Sequence, residues 1–455
     1  MIRHRMLKRP AIPHRAPYVD RSPPEVHTRR RRLRACYECD WLCALPPLTA
    51  GEKATCPRCH HTLARRHHHP AQRSMALAMA ALVALMVAVS FPFISFSVSG
   101  VSNSIELPQT ATALISFHQP VVAVVVILTI VVLPACYLLA VMWLQLGLMR
   151  YRPLPFSRDI ARALAHLTPW MMADVFIIGA LVSLIKIAGL AQVSLGLSFW
   201  AFCAFAFLLL LTSQSLDADW LWFSLDHEPL APQGAQTGAP AAAQQLTGCP
   251  TCGLVNRLAK TQKTRCRRCG EHLHARRPHS LQRTWALLAA AAVMYIPANF
   301  YPIMNVTNLG ETSSSTIISG VVELYQSGSW PVALVIFIAS VIVPVGKLFA
   351  LGWLCLVARR SHRLNAHSRT VLYRVTEFIG RWSMVDVFVV AILVALIRAG
   401  TLMSITPGPA ELAFGAVVVL TMLAAMSFDP RLIWDAPLPR KVPSHTKASQ
   451  GSADG

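Results

Sequence analysis

The chain has 455 residues and a formal charge of +21; it is 54% hydrophobic and only 14% charged, with mean hydropathy +0.46. That balance excludes an ordinary soluble enzyme and describes a membrane protein of several spans. It also argues against a nucleic-acid footprint, because 39 of the 42 Lys and Arg fall in five segments that an eight-span topology places on one face.

Residues 1–32 read as a disordered basic arm. The first apolar run begins near Met75, behind a polar stretch too long for the n-region of a signal peptide, so Arg29 to Arg32 are read as solvated and orienting. Within 33–66, Cys36-x-x-Cys39 and Cys56-x-x-Cys59 stand 16 residues apart, which is the knuckle spacing of a zinc ribbon. Four thiolates close a tetrahedral site, so the zinc expected here is structural and leaves no open position for catalysis. Cys43, His60 and His61 could exchange into the set, but the reading is a spare thiol and two exposed imidazoles.

A first bundle is expected over 73–222, with spans near 75–97, 121–147, 170–190 and 195–216. After a linker at 223–246, the pattern returns. Cys249-x-x-Cys252 and Cys266-x-x-Cys269, 13 residues apart, form a second ribbon over 247–276. A second bundle follows over 283–434, with spans near 284–304, 331–357, 382–403 and 411–428, and then a disordered tail over 435–455. The fold class is therefore an α-helical integral membrane protein of two tandem parallel repeats. Each repeat is a zinc ribbon and a four-helix transmembrane bundle with a small extracytoplasmic β segment.

Charge sets the orientation. The connections near 98–118, 305–330 and 404–410 hold no Lys or Arg, so both termini and both ribbons are expected in the cytoplasm. Phe96-Ser97-Val98-Ser99 and Thr316-Ile317-Ile318-Ser319, on the opposite side, alternate as short strands would.

The copies align inside the spans as well. Arg73 and Pro92 match Arg283 and Pro302, Pro134 matches Pro344, and Asp217 with Trp222 matches Asp429 with Trp434. The run from Trp170 to Phe176, through Asp174, matches Trp382 to Phe388, through Asp386. Prolines in spans remove a backbone donor, so Pro134 and Pro344, with Pro92 and Pro302, predict paired kinks. Asp174, Asp386, Lys186, Lys347 and Arg398 are charged residues within apolar runs, where each costs on the order of 2.5–3.5 kcal/mol. They are candidates for a substrate or proton path, the alternatives being helix-terminal carboxylates and snorkelling cations. Lys347 stands out because its counterpart in the first copy is Tyr137, and a Lys347–Asp386 pair across neighbouring helices is expected.

The ribbons, Asn299-Phe300-Tyr301-Pro302, Thr316 to Val321, Val343-Pro344 with Lys347, and Trp382 to Phe388 resemble the paraquat-inducible protein A family over roughly residues 33–435. The first copy departs from that pattern at Val89-Ser90-Phe91-Pro92 and at Tyr137. The resemblance implies four-span units like those of tetraspanins and claudins. It further implies an inner-membrane partner of periplasmic MCE-domain tunnel proteins that moves lipids between membranes. A non-transporting scaffold or a metal or redox sensor is the alternative. The sequence has no Walker A motif and no haem or flavin signature, and no enzymatic activity or nucleic-acid partner is expected.

Overall fold

The computed structural model describes residues 32–435 except 99–100, 106–122, 125–126, 151, 172, 189–191, 259–263, 309–310, 327, 329, 360–365, 381–387, 390–397 and 400–402. The N-terminal arm, most of the tail and Asp386 lie outside the described residues.

The first copy opens with two antiparallel hairpins, β1 (Arg32–Ala35) with β2 (Leu42–Leu45) and β3 (Lys53–Thr55) with β4 (Thr62–Arg65). Helix α1 (Pro70–Ser90) follows, with Pro70 in its first turn, where a missing N–H costs nothing. It ends before Pro92, and the chain turns into β5 (Ile94–Val98) and β6 (Val101–Ile105). Helix α2 (Leu133–Met149), amphipathic α3 (Ser157–Leu167), α4 (Ala173–Ala188), β7 (Gln192–Leu195), α5 (Leu197–Ser215) and short α6 (Ala218–Leu225) complete the copy.

The second copy repeats the order. Its hairpins are β8 (Leu246–Gly248) with β9 (Val255–Arg257) and β10 (Thr264–Arg265) with β11 (His272–Leu273). Then come α7 (Ser280–Phe300), β12 (Met304–Asn308), β13 (Glu311–Ser315), α8 (Ile317–Gln326), α9 (Trp330–Phe337), α10 (Val343–Arg359) and α11 (Ala366–Gly380). Strands β14 (Arg398–Ala399) and β15 (Met403–Pro407) lead into α12 (Pro409–Ser427). Among the described residues, five helical stretches are long and apolar enough to cross a membrane: Pro70–Ser90, Leu128–Met149, Leu197–Ser215, Ala333–Ala358 and Pro409–Ser427.

The helices pair through small residues. Along α1, Ser74, Ala78, Ala81 and Ala88 are fully buried, which lets α5 approach closely; Ser74 Oγ and Ser215 Oγ lie 3.2 Å apart at that seam. Helix α7 lies along α12 in the same way, with Thr284 and Ala291 buried. The copies meet where Phe176 packs edge-on against its counterpart Phe388, ring centroids 5.6 Å apart, and Ser183 Oγ donates to the Val389 carbonyl at 3.3 Å.

Several expectations need correction. Pro92 and Pro302 do not kink helices; they lie just beyond the ends of α1 and α7, because a proline disfavours helical backbone in the residue before it. The apolar runs read as continuing to 97 and 304 therefore finish in β5 and at the start of β12. Pro134 and Pro344 each lie one residue beyond a π-helical stretch, Leu128–Val132 and Ile338–Ile342, in the first turn of the α-helix that follows. A wider turn relieves the clash of the proline ring with the preceding helix, so the accommodation is a π segment in each copy. The strand expected at Thr316 to Ser319 is a helix start instead: Thr316 N–H donates to Ser319 Oγ at 2.8 Å and Ser319 N–H to Thr316 Oγ1 at 3.2 Å. This is a reciprocal cap, which alternation of apolar and polar residues does not reveal.

The expected small sheets do form. β6-β5-β7 is a three-stranded sheet and β13-β12-β15-β14 a four-stranded one, all antiparallel. Gly196 and Gly408, after β7 and β15, face the carbonyls of Pro92 and Pro302 so closely that any Cβ would collide with them. Glycine is required at both.

Candidate metal centres and a buried cation in the second bundle

Each knuckle turn puts two thiols at its tip, and the paired hairpins bring four together. Sulfurs of Cys36 and Cys59 are 3.4 Å apart and those of Cys39 and Cys56 3.5 Å; the second ribbon repeats these values with Cys249–Cys269 and Cys252–Cys266. All four ligand atoms of each set lie within 4.8 Å of one another, all are buried, and none is in a disulfide. A thiolate tetrahedron around zinc has edges of about 3.8 Å, so both sets fit a four-coordinate ion. His60 and His61 stay outside the first set. His61 Nδ1 instead lies 3.0 Å from Glu38.

The ribbons are crossed between copies. Arg374 on α11 of the second copy donates to the Glu38 carboxylate and, at 2.8 Å, to the Cys59 carbonyl of the first ribbon. Its counterpart Arg162, on α3 of the first copy, donates to the Cys269 carbonyl of the second ribbon. Arg58 stacks over Trp434 at 4.5 Å, and Arg277 donates to the Tyr37 hydroxyl at 2.5 Å. The second ribbon's cysteines share a core with Leu144, Ala161, Trp220 and Leu221 of the first bundle. Helix α11 can do this because Ala366, Thr370, Tyr373, Thr376 and Gly380 bury one face, leaving Arg374 on the other. Burial alone would raise the Glu38 carboxyl, but hydrogen bonds from His61 and Arg374 outweigh it and hold it at about 2. Arg34 closes the arrangement with ion pairs to Asp219 at 2.6 Å and Glu228 at 2.5 Å.

In the second bundle Lys347 is 3% exposed. Its Nζ donates to Thr421 Oγ1 at 2.8 Å and to the Gly380 carbonyl, at the end of α11, at 3.3 Å. Both acceptors are neutral. The expected Asp386 partner lies outside the described residues. A cleft of about 330 Å³ opens onto Lys347, lined also by Arg374, Glu377, Phe378 and Met422, with Thr168 from the first copy.

The other expected charges separate. Asp174 is half-buried in the first turn of α4, the place a carboxylate suits a helix dipole. Lys186 lies in the last turn of that helix. Arg398 is not in a helix: it starts β14, its backbone opposite Ser404.

Glu411 was hidden to sequence reading at the head of an apolar run. It is 1% exposed in the first turn of α12, and among the described residues neither carboxylate oxygen has a hydrogen-bond partner. Aligning Gly408 with Gly196 would have exposed it, since the same register sets Glu411 against Phe199 and Thr421 against Leu209. With Lys347 against Tyr137, three buried positions are polar in the second copy and apolar or aromatic in the first.

The family model of paraquat-inducible protein A matches residues 71–226 and 281–437, one match per bundle. Intermembrane transport protein PqiA of Escherichia coli K12 is 40% identical over 400 residues, covering 88% of this chain and 95% of that relative. A probable intermembrane transport protein of Haemophilus influenzae is 30% identical over 412 residues, 89% and 96% of the two chains. Lipophilic envelope-spanning tunnel protein A of Escherichia coli K12 is 30% identical over 404 residues, 88% and 91%. No solved structure matches the chain. With both bundles matched by one family model and near-complete coverage of these relatives, the chain belongs to the paraquat-inducible protein A family.

Proposed function

We propose that this protein is a multi-pass inner-membrane component of an intermembrane lipid transport system, and that its second bundle holds the working site. The observation that carries this reading is Lys347, a buried cation lining an otherwise largely apolar cleft, at a position where the first copy has Tyr137. A lysine inside a span is retained against a cost on the order of 2.5–3.5 kcal/mol, which an anionic head group entering the cleft would offset. The names of the relatives, which speak of intermembrane transport and an envelope-spanning tunnel, support the class of process.

In this reading both ribbons are cytoplasmic, since Lys and Arg concentrate on their side. A phospholipid enters from the inner leaflet, with its phosphate toward Lys347 and Arg374 and its chains against Phe378 and Met422. Glu411, ten residues before Thr421 on the same helix and so ~15 Å farther along it, marks the path toward the other side. Asp386, Asp174, Lys186 and Arg398 serve the same path as secondary groups. The four-stranded far-side sheet receives a periplasmic tunnel partner of the MCE type. Zinc is the ion that suits four cysteines in a closed, buried site, and its role is structural.

The test is photocrosslinking in cells from a benzophenone amino acid at Met422, with the captured lipid identified by mass spectrometry. The proposal expects phospholipid capture that drops when Lys347→Met is combined with the probe. Capture that is indifferent to Lys347→Met would sink it.

A further inference from the structure

The two metal centres differ beside one ligand. In the second ribbon, Asn256, 1% exposed, bridges the site: its Nδ2 donates to the Cys266 sulfur at 3.6 Å, and its Oδ1 accepts from the Arg267 backbone N–H at 3.2 Å. The register is the same in the first ribbon, where Arg34 pairs with Cys43 as Thr247 pairs with Asn256. The residue matching Arg267 is Pro57, which has no N–H to satisfy, so the amide has no task there. The position carries Cys43 instead. Its sulfur donates to the Trp41 carbonyl at 3.8 Å, and it belongs to one buried cluster with the four ligand thiols, among them Cys56, the counterpart of Cys266. Cys43 also lines an open cleft of about 400 Å³ with Trp41, Ala54, Thr55 and Gly238.

We propose that Cys43 is an oxidisable fifth thiol that makes the first ribbon, and not the second, sensitive to hydroperoxides. The chemistry balances without further reagents. The Cys56 thiolate attacks the peroxide; the O–O bond breaks, Cys56 becomes a sulfenic acid, and the departing hydroxide or alkoxide takes the Cys43 proton and leaves as water or an alcohol. The Cys43 thiolate then attacks the Cys56 sulfur, an S–S bond forms, and hydroxide leaves. Two electrons pass from the two sulfurs to the peroxide. A set that has lost one of four thiolates no longer closes around its ion. The second ribbon offers no such step, because an amide stands where the resolving thiol would be. The consequence reaches the other bundle, for Arg374, held by Glu38 and the Cys59 carbonyl, also lines the Lys347 cleft.

The experiment uses the purified full-length protein with both sites loaded with zinc, treated with hydrogen peroxide. Released metal is read with a chromophoric chelator, and disulfides are mapped by mass spectrometry of peptides. The proposal expects about one of the two equivalents to leave first, with a Cys43–Cys56 disulfide, and thiol reductant plus zinc to restore it. Cys43→Ser and Cys43→Ala, each first shown to bind two equivalents, should slow that release on the order of tenfold and abolish the disulfide. Release of both ions at one rate, unchanged release from either variant, or a first disulfide lacking Cys43 would overturn the proposal.

Discussion

Set side by side, the two copies are alike wherever they hold the architecture and unlike where a charge is buried. Both have a π segment before the proline of the second span, a glycine beneath the carbonyl of the proline that ends the first, and an arginine reaching the last cysteine carbonyl of the opposite ribbon. Tyr137, Leu209 and Phe199 fill one bundle with apolar and aromatic volume; Lys347, Thr421 and Glu411 put ionisable and polar groups at the same places in the other. Duplication supplied a symmetric frame, and at these three positions divergence placed the costly groups in the second bundle. A frame shared by both halves can bear the buried Lys347 and Glu411 in one of them, since the other needs only to pack.

Breaking the shared frame should have the largest effect. Cys59→Ser and Cys269→Ser are each expected to lose one equivalent of metal and unfold one ribbon, since structural zinc is worth on the order of 10 kcal/mol in small ribbons. Crossing makes the damage appear in the other copy: Cys59→Ser should expose α11, and Cys269→Ser should expose α3, to protease. Limited proteolysis with mass spectrometry reads this. Cleavage confined to the mutated copy's own bundle would show that the crossed contacts carry no weight.

An asymmetric feature of the frame comes next. Arg34 is buried between Asp219 and Glu228, while its counterpart in the second ribbon is Thr247. Arg34→Met leaves two carboxylates without their main partner and should cost about 3–5 kcal/mol, read as a fall in the thermal midpoint. Burial raises both carboxyls, but the charge and hydrogen bonds of Arg34, with those of Arg32, bring them below their ordinary values. Their folded pKa values are therefore depressed, so their contribution is complete above pH ~4 and fades as the pH falls through the folded values. Wild type should lose stability in that acid window, and Arg34→Met should lose less. An identical acid dependence in both would place the linkage elsewhere.

A smaller and symmetric effect is expected at the glycines. Gly196→Ala and Gly408→Ala each force the turn away from the Pro92 or Pro302 carbonyl and should cost on the order of 1–3 kcal/mol. Similar shifts in the thermal midpoint support a shared frame. A loss at one alone would show that the sheets are not equivalent supports.

Much of this was legible in the sequence. Cysteine spacing located both ribbons, the offset near 210 residues linked the copies, and apolar runs located the five described helices long enough to cross a membrane, most of the expected 382–403 span lying outside the described residues. Helix ends were harder, because the uncharged segment Phe93 to Val98 continues an apolar run, and the turn into β5 is marked by Pro92 and by the alternation with Ser95 and Ser97. The crossing was invisible, since chain order sets each ribbon beside its own bundle, and the arginines that reach across sit on amphipathic α3 and α11 among other solvated cations. Lys347 was found because it broke the repeat against Tyr137. Glu411 broke it equally against Phe199 but lay where carboxylates commonly begin helices, and only its burial without partners set it apart.

The most direct measurement compares Lys347→Met with Tyr137→Phe in one assay: transfer of radiolabelled phospholipid from proteoliposomes containing each variant to acceptor vesicles, with the proposed periplasmic partner added. If the working site lies in the second bundle, Lys347→Met should lower the rate on the order of tenfold or more, the equivalent of about 1.4 kcal/mol, while Tyr137→Phe stays near wild type. Equal losses from the two, or a Lys347→Met protein that transfers lipid at the wild-type rate, would contradict the account.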